Sequence, residues 1–269
     1  MNAPIRTVPV LLREDLDNIA VLTLNRPDVR NCLSEALIAA LSATLRSIAE
    51  EGAVRVVMLA ANGPGFCAGH DMKEMTARRS DADRGRAYFK PLMDACAAMM
   101  QAVVHLPQPV IACVQGPASA AGCQLVASCD LAVASQGAAF ATPGVNIGLF
   151  CSTPMVALSR NVSRKHAMEM LLTGDLISAQ EAQRIGLVNR VVAAGTERDE
   201  ALKLARQIAS KSALTLKIGK EAFYRQREMN LADAYRYAAD VMVENMLARD
   251  AEEGIGAFIE KRPPTWEDR

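Results

Sequence analysis

The sequence has no excess of charge: 30 lysines and arginines balance 30 aspartates and glutamates. A zero balance removes the electrostatic reason to bind nucleic acid or an anionic membrane surface. Histidine is scarce, with only His70, His105 and His166 scattered along the chain. A histidine-rich metal centre is therefore not expected, and acid–base chemistry is expected to fall to carboxylates. The 7 cysteines are odd in number and form no CxxC pair, which excludes a disulfide framework and a zinc site and points to reduced, buried thiols. No apolar run approaches a membrane span. The first residues, MNAPIRTVPVLL, lack both the apolar stretch of a signal peptide and the arginine-rich amphipathic pattern of a transit peptide. A cytoplasmic protein is the expectation. P-loop, dinucleotide-binding, nucleophile-elbow and HExxH motifs are all missing.

What is present is a hydrophobic fraction of 51% over 269 residues, too high for disorder and ample for a core. Apolar runs Ile19–Leu24, Val54–Ala60, Val110–Gln115 and Leu131–Ala134 read as strands. Between them, Leu37, Leu41, Leu45 and Ile48 repeat with helical spacing behind a Ser34 cap, and Phe89, Leu92, Cys96, Met99 and Val103 share one helical face. Buried, non-alternating strands separated by helices argue for a parallel α/β sheet. Ser178 and Glu181 form a capping-box pattern. Beyond Val192 the chain reads as helix: Glu197–Ser210, Ala213–Glu228 and Leu231–Arg249. The expected division is a core over 1–195 and a helical region over 196–269.

Two segments place tiny residues directly before a helix start: Gly65-Phe66-Cys67-Ala68-Gly69-His70-Asp71-Met72-Lys73-Glu74 and Gly116-Pro117-Ala118-Ser119-Ala120-Ala121-Gly122-Cys123-Gln124-Leu125. Small residues let backbone approach a ligand closely, and a helix start offers unpaired N–H groups. Two such groups converging on one point would make an oxyanion hole. Close helix–sheet packing asks for the same residues, so the local pattern alone leaves both readings standing.

The ordered set LNRPDVRN, GFCAGHDMKEM, GPASAAGCQLVASCDLAVAS, FATPGVNIGLF and EEGIGAFIEKR resembles the enoyl-CoA hydratase/isomerase (crotonase) superfamily. Within it, the chain is most similar to the enoyl-CoA hydratase domain-containing branch. The resemblance implies a spiral of ββα units, a C-terminal helical region that drives assembly into a homotrimer or a hexamer of paired trimers, and an acyl-CoA thioester as ligand. Coenzyme A enters as part of the substrate; no other cofactor and no metal is implied. The thioester oxygen would meet the backbone N–H groups of His70 and Ala121, flanked by Ala120 and Gly122. Ala68, Asp71, Met72 and Lys73 would line the adenine and pantetheine side. Arg30 matches a position that meets CoA, and Phe258 and Lys261 match terminal-helix residues that touch it near a subunit boundary.

The chain departs from the family at two catalytic positions. Hydratases of this family carry two glutamates that position and activate water, and here Gln124 and Gly144 stand in their places. Glutamine orients water but moves no proton at neutral pH, and glycine offers no side chain. The loss of a positioned acid or base typically lowers rates about 10²–10⁴-fold. Three readings follow: an enzyme of hydratase/isomerase type with a non-standard acid–base set; an acyl-CoA-binding or regulatory protein without catalysis; a thioester hydrolase or decarboxylase using the same hole. The imidazole of His70 either faces the acyl pocket or packs locally. Cys151 is a nucleophile only if a base activates it.

Overall fold

The computed structural model describes residues 8–269. Its main sheet begins with the antiparallel hairpin β1 (Leu11–Leu16) and β2 (Ile19–Leu24). The chain continues through α1 (Glu35–Glu50), β3 (Val56–Ala61), α2 (Met72–Ala77), α3 (Arg86–His105), β4 (Val110–Val114), β5 (Ala118–Ser119), α4 (Ala121–Ser128), β6 (Leu131–Ser135) and β7 (Ala139–Ala141). Then come α5 (Ser152–Asn161), α6 (Arg164–Thr173), β8 (Ile177–Ser178), α7 (Ala179–Arg184) and β9 (Arg190–Val192), followed by α8 (Glu197–Ala209), α9 (Ala213–Gln226), α10 (Leu231–Met246) and α11 (Arg249–Glu260). The main sheet has the order β1-β2-β3-β4-β6-β9, parallel from β2 onward, and a small sheet β5-β7-β8 stands beside it. This is the α/β architecture expected from the apolar runs.

Strands β2, β3, β4 and β6 are covered on both faces, which is why they read as unbroken apolar runs. On one face lie α1, α3 and α4; α1 starts where the Ser34 hydroxyl accepts from the Leu37 N–H and buries Leu37, Ile38, Leu41, Leu45 and Ile48. On the other face α8 seats Ala201, Leu202, Leu204, Ala205 and Ala209 against Ile19, Val21, Val56, Met58, Ile111 and Val133. The first helix beyond residue 195 thus completes the sheet's second core. From Ala213 on, α9 and α10 fully bury none of their residues.

Two features depart from the sequence reading. β1 (LLREDL) is an edge strand whose inner four residues are exposed, so no hydrophobic pattern announces it. The helix expected over Leu231–Arg249 ends at Met246, and α11 starts afresh at Arg249. The break is set by tertiary contact. Asp250 is buried, its carboxylate accepts from the Glu267 and Asp268 N–H groups, and its own N–H donates to the Arg269 carbonyl. The folded-back tail fixes the corner.

Candidate active site

The two small-residue segments lie side by side. Cys67 pairs with Ala118 in a parallel bridge; the Phe66 N–H donates to the Pro117 carbonyl (3.0 Å) and the Ser119 N–H to the Cys67 carbonyl (2.9 Å). Glycine is required where they touch. A Cβ on Gly122 would stand 2.0 Å from the Cys67 carbonyl oxygen, and one on Gly69 would stand 3.0 Å from the Ala120 Cβ and 3.4 Å from the Ala121 nitrogen. Ala120 has φ +49°, a region disfavoured for a residue with a Cβ. Its N–H donates to the Ala141 carbonyl at 2.9 Å, which anchors the turn that aims the start of α4.

This packing brings Gly69, the residue before His70, to the start of α4 at Ala121. Leu33 brackets His70, with its N–H donating to the Gly69 carbonyl and its carbonyl accepting from the Asp71 N–H. Ala121 is the first residue of α4, where the N–H has no carbonyl one turn earlier in the helix to meet.

Polar side chains around this seam are buried without partners. His70 Nε2, Gln124 Oε1 and Thr142 Oγ1 have no hydrogen bond among the described residues. Orphaned buried polar atoms are rare in folded proteins and mark places where a ligand or water is accommodated. Gln124 also forms part of the wall of a cavity of about 800 Å³. Burial lowers the His70 pKa from its ordinary 6.5, so its ring is neutral near pH 7. Its imidazole signal in a pH series followed by NMR is expected to titrate with a midpoint below 6.5; a midpoint at or above that value would show an exposed or anion-paired ring.

Asp71 has a structural task. Its carboxylate pairs with Arg26 at 3.0 Å and caps α2 by accepting from the Lys73 and Glu74 N–H groups. Met72, Lys73 and Ala68 are exposed on the rim beside it. Arg30 is exposed with φ +51°, and its carbonyl accepts from the Ala68 N–H, so it sits against the first segment. Phe258 lies on α11 and Lys261 is the residue just past its end; α11 packs on α10 and the C-terminal tail. No hydrogen bond or ion pair among the described residues joins them to the seam within one chain. Asn31 was not anticipated as an organiser: fully buried, its amide donates to the Asn62 and Gly65 carbonyls and accepts from the Arg26 N–H, holding the glycine-rich loop. Thr142 was also missed; its only sequence signal is its place before Pro143.

Gly144 faces Cys151. Its N–H donates to the Cys151 Sγ at 3.3 Å, and a Cβ there would lie 3.0 Å from both that sulfur and the Leu149 carbonyl oxygen. Gly144→Ala is therefore expected to lower stability by about 1–3 kcal/mol through overpacking. Cys151→Ala in the same chain should recover part of that loss in a denaturant titration. Unchanged stability of the single variant would show that the loop ending at Cys151 yields freely. Desolvation raises the Cys151 thiol above its ordinary value and pushes Cys123 up to about 12, so both stay protonated near neutral pH.

A family model for enoyl-CoA hydratase/isomerase matches residues 14–269. The chain belongs to this family. Human enoyl-CoA hydratase domain-containing protein 3, mitochondrial, is 47% identical over 251 residues, 93% of this chain and 81% of that protein. The crystal structure of the human protein matches with TM-score 0.91 at 46% identity, covering 96% of this chain and all (100%) of that one. A crystal structure of an enoyl-CoA hydratase from Mycobacterium smegmatis matches with TM-score 0.91 at 50% identity, covering 96% and 99% of the two chains. These findings agree with the expected family, branch and fold. They overturn the cytoplasmic expectation: similar proteins from human, rat and mouse are named as mitochondrial. The thiol and N-terminal patterns behind that expectation describe redox state and composition, neither of which is an address.

Proposed function

We propose that this member of the enoyl-CoA hydratase/isomerase family binds an acyl-CoA thioester. Its carbonyl oxygen is held by the N–H groups of His70 and Ala121, and no hydratase-type pair of carboxylates stands beside it. The observation that supports this reading is the seam between Cys67 and Ala118, which brings Gly69, the residue before His70, against the free start of α4. Fixed N–H donors stabilise the negative charge that develops on a thioester oxygen as an enolate forms. Arg30 and Lys73, on the exposed rim, supply positive charge for the phosphates of CoA, which a neutral chain must meet locally.

Gln124 and Gly144 stand where the family keeps its two glutamates. Gln124 accepts a hydrogen bond from a water or a substrate hydroxyl through its free amide oxygen without exchanging a proton. Cys151 fills the space at Gly144 and its thiol is unactivated. This favours a second reading, an acyl-CoA-binding protein with little turnover, over a thioester hydrolase built on Cys151. The test is incubation with crotonyl-CoA and longer enoyl-CoAs while the conjugated absorbance is followed, paired with calorimetric titration by an unreactive acyl-CoA. Binding without hydratase-scale turnover is expected. Hydratase-scale turnover overturns the claim about Gln124 and Gly144, and failure to bind any thioester overturns the reading of the seam.

The exposed apolar residues of α10 and α11, among them Leu231, Tyr235, Met242, Val243, Phe258 and Ile259, support assembly into a trimer or a dimer of trimers. Large apolar side chains left exposed together on neighbouring helices commonly mark an interface. Light scattering is expected to give a multiple of three chains of 28.9 kDa; a monomer mass at micromolar concentration refutes the assembly.

A further inference from the structure

His70 Nε2, Gln124 Oε1 and Thr142 Oγ1 all belong to residues tethered to the turn at Ala120. His70 follows Gly69, where a Cβ would stand 3.0 Å from the Ala120 Cβ. Thr142 follows Ala141, whose carbonyl accepts from the Ala120 N–H at 2.9 Å, and the Gln124 N–H donates to the Ala120 carbonyl at 3.0 Å. Each of the three atoms is buried and has no hydrogen-bond partner among the described residues. Of the three side chains, only imidazole exchanges a proton near neutral pH.

The other titratable groups of the two small-residue segments are committed elsewhere. The Asp71 carboxylate pairs with Arg26 and caps α2. Glu74 accepts from the Glu35 N–H at 3.2 Å, and Lys73 is exposed on the rim. Burial pushes the Cys67 and Cys123 thiols up to about 12. In the segment that leads to Leu33, Arg30 is exposed and burial raises the Cys32 thiol. Burial is also the one cause that moves His70, with no charged neighbour adding to it. The ring is therefore neutral at pH 7, and with its proton on Nδ1 the Nε2 lone pair is free.

We propose that the His70 imidazole is the catalytic base of this protein, taking a proton from the carbon beside a thioester carbonyl and returning it, an assignment that rests on the acyl-CoA reading above. In the forward step Nε2 bonds to the α-proton. The C–H electron pair becomes the C=C bond of an enolate, and the carbonyl π pair moves onto oxygen, where the N–H groups of His70 and Ala121 stabilise it. In the return step the imidazolium gives the proton back to the same carbon. When the ligand carries a β,γ double bond, the proton goes to the γ-carbon instead and the double bond moves into conjugation. Neither outcome consumes water or a second reactant. A single group thus moves the proton where residues 124 and 144 supply no carboxylate.

The experiment incubates the full chain with butyryl-CoA and vinylacetyl-CoA in deuterium oxide, following deuterium uptake by mass spectrometry and the rise of conjugated absorbance. The rate is expected to fall as pH drops through a midpoint below 6.5, the same midpoint that the His70 imidazole signal shows by NMR. His70→Ala keeps the backbone N–H and removes the ring. It is expected to lose roughly 100-fold or more in rate, and added free imidazole, entering the space left by the ring, is expected to restore part of that loss. Thermal unfolding reports whether the variant folds, and the pH profile of the native chain decides the matter if it does not. A native chain that binds butyryl-CoA yet moves no proton on either thioester overturns the proposal and leaves the thioester reading intact. A folded His70→Ala chain that works at the native rate overturns it as well, as does a rate whose pH midpoint departs from that of the imidazole. Binding of no thioester removes the reading beneath it and the proposal with it.

Discussion

Gly122→Ala is expected to destroy acyl-CoA binding and to cost about 3 kcal/mol or more of stability, at the upper end of overpacking substitutions. The added Cβ would stand 2.0 Å from the Cys67 carbonyl oxygen, 2.7 Å from its carbonyl carbon and 2.8 Å from the Cys67 Cβ. Two of those atoms are backbone, so no side chain can swing aside. Either the start of α4 or the loop carrying Cys67 must move, and these are the two segments whose contact creates the seam. Thermal unfolding and acyl-CoA calorimetry check the result. The control is Gly219→Ala on α9, where a Cβ meets nothing within 4 Å. That change should leave binding intact and raise stability by about 0.5–1 kcal/mol, because alanine loses less backbone freedom than glycine in a helix. Normal binding by Gly122→Ala would show that the seam is not the ligand site.

Lys220→Met is expected to lower stability by about 3–5 kcal/mol, the usual effect of removing one partner from a buried ion pair. The Lys220 Nζ lies 2.7 Å from Asp130 Oδ2 and 3.0 Å from the Gln108 carbonyl, and its side chain is 7% exposed. Tyr224 donates to the other Asp130 oxygen at 2.9 Å, and the Val110 N–H donates to the carboxylate as well. One network therefore ties α9 to the ends of α3, β4 and α4. Replacing Lys220 leaves a buried carboxylate short of its cation and two carbonyls short of a donor. At this chain length the unfolding midpoint should fall by roughly 2–4 °C for each kcal/mol lost. Hydrogen exchange should show protection lost in residues 213–226 first, with β3 and β4 unaffected. Adding Asp130→Leu should restore part of the loss, since the stranded charge is then gone. A single variant as stable as the native chain would mean that α9 is held by its apolar contacts alone.

That network was invisible in the sequence. Asp130 reads there as a residue ending a short helix, and Lys220 as one of many lysines on a helix. Their pairing joins residues 90 positions apart and is created only when α9 folds back over the cavity. Asn31 and Thr142 escaped for a similar reason. Each is an ordinary polar residue in a turn until packing removes the water around it. The corner between α10 and α11 was equally hidden, because the hydrophobic period continues through it and the folded-back tail supplies the break.

Other parts of the molecule were legible from residue order. Apolar runs too dense to alternate mark strands covered on both faces, and β2, β3, β4 and β6 are such strands. Helical spacing behind Ser34 gave α1 because the cap and the apolar stripe are local properties. The glycines and alanines of the two segments announced close approach, and the residue types at 124 and 144 declared that neither position carries a carboxylate. What sequence left open was whether the small residues serve packing or a ligand. Tertiary structure shows that they serve packing, and the proposed ligand site is built on that packing. Gly122 and Gly69 let two backbones meet closely, which brings the residue before His70 to the start of α4, and Gln124 is among the residues lining a cavity that α9 also walls. Local chemistry is written residue by residue, whereas a shared space exists only after distant segments pack against each other.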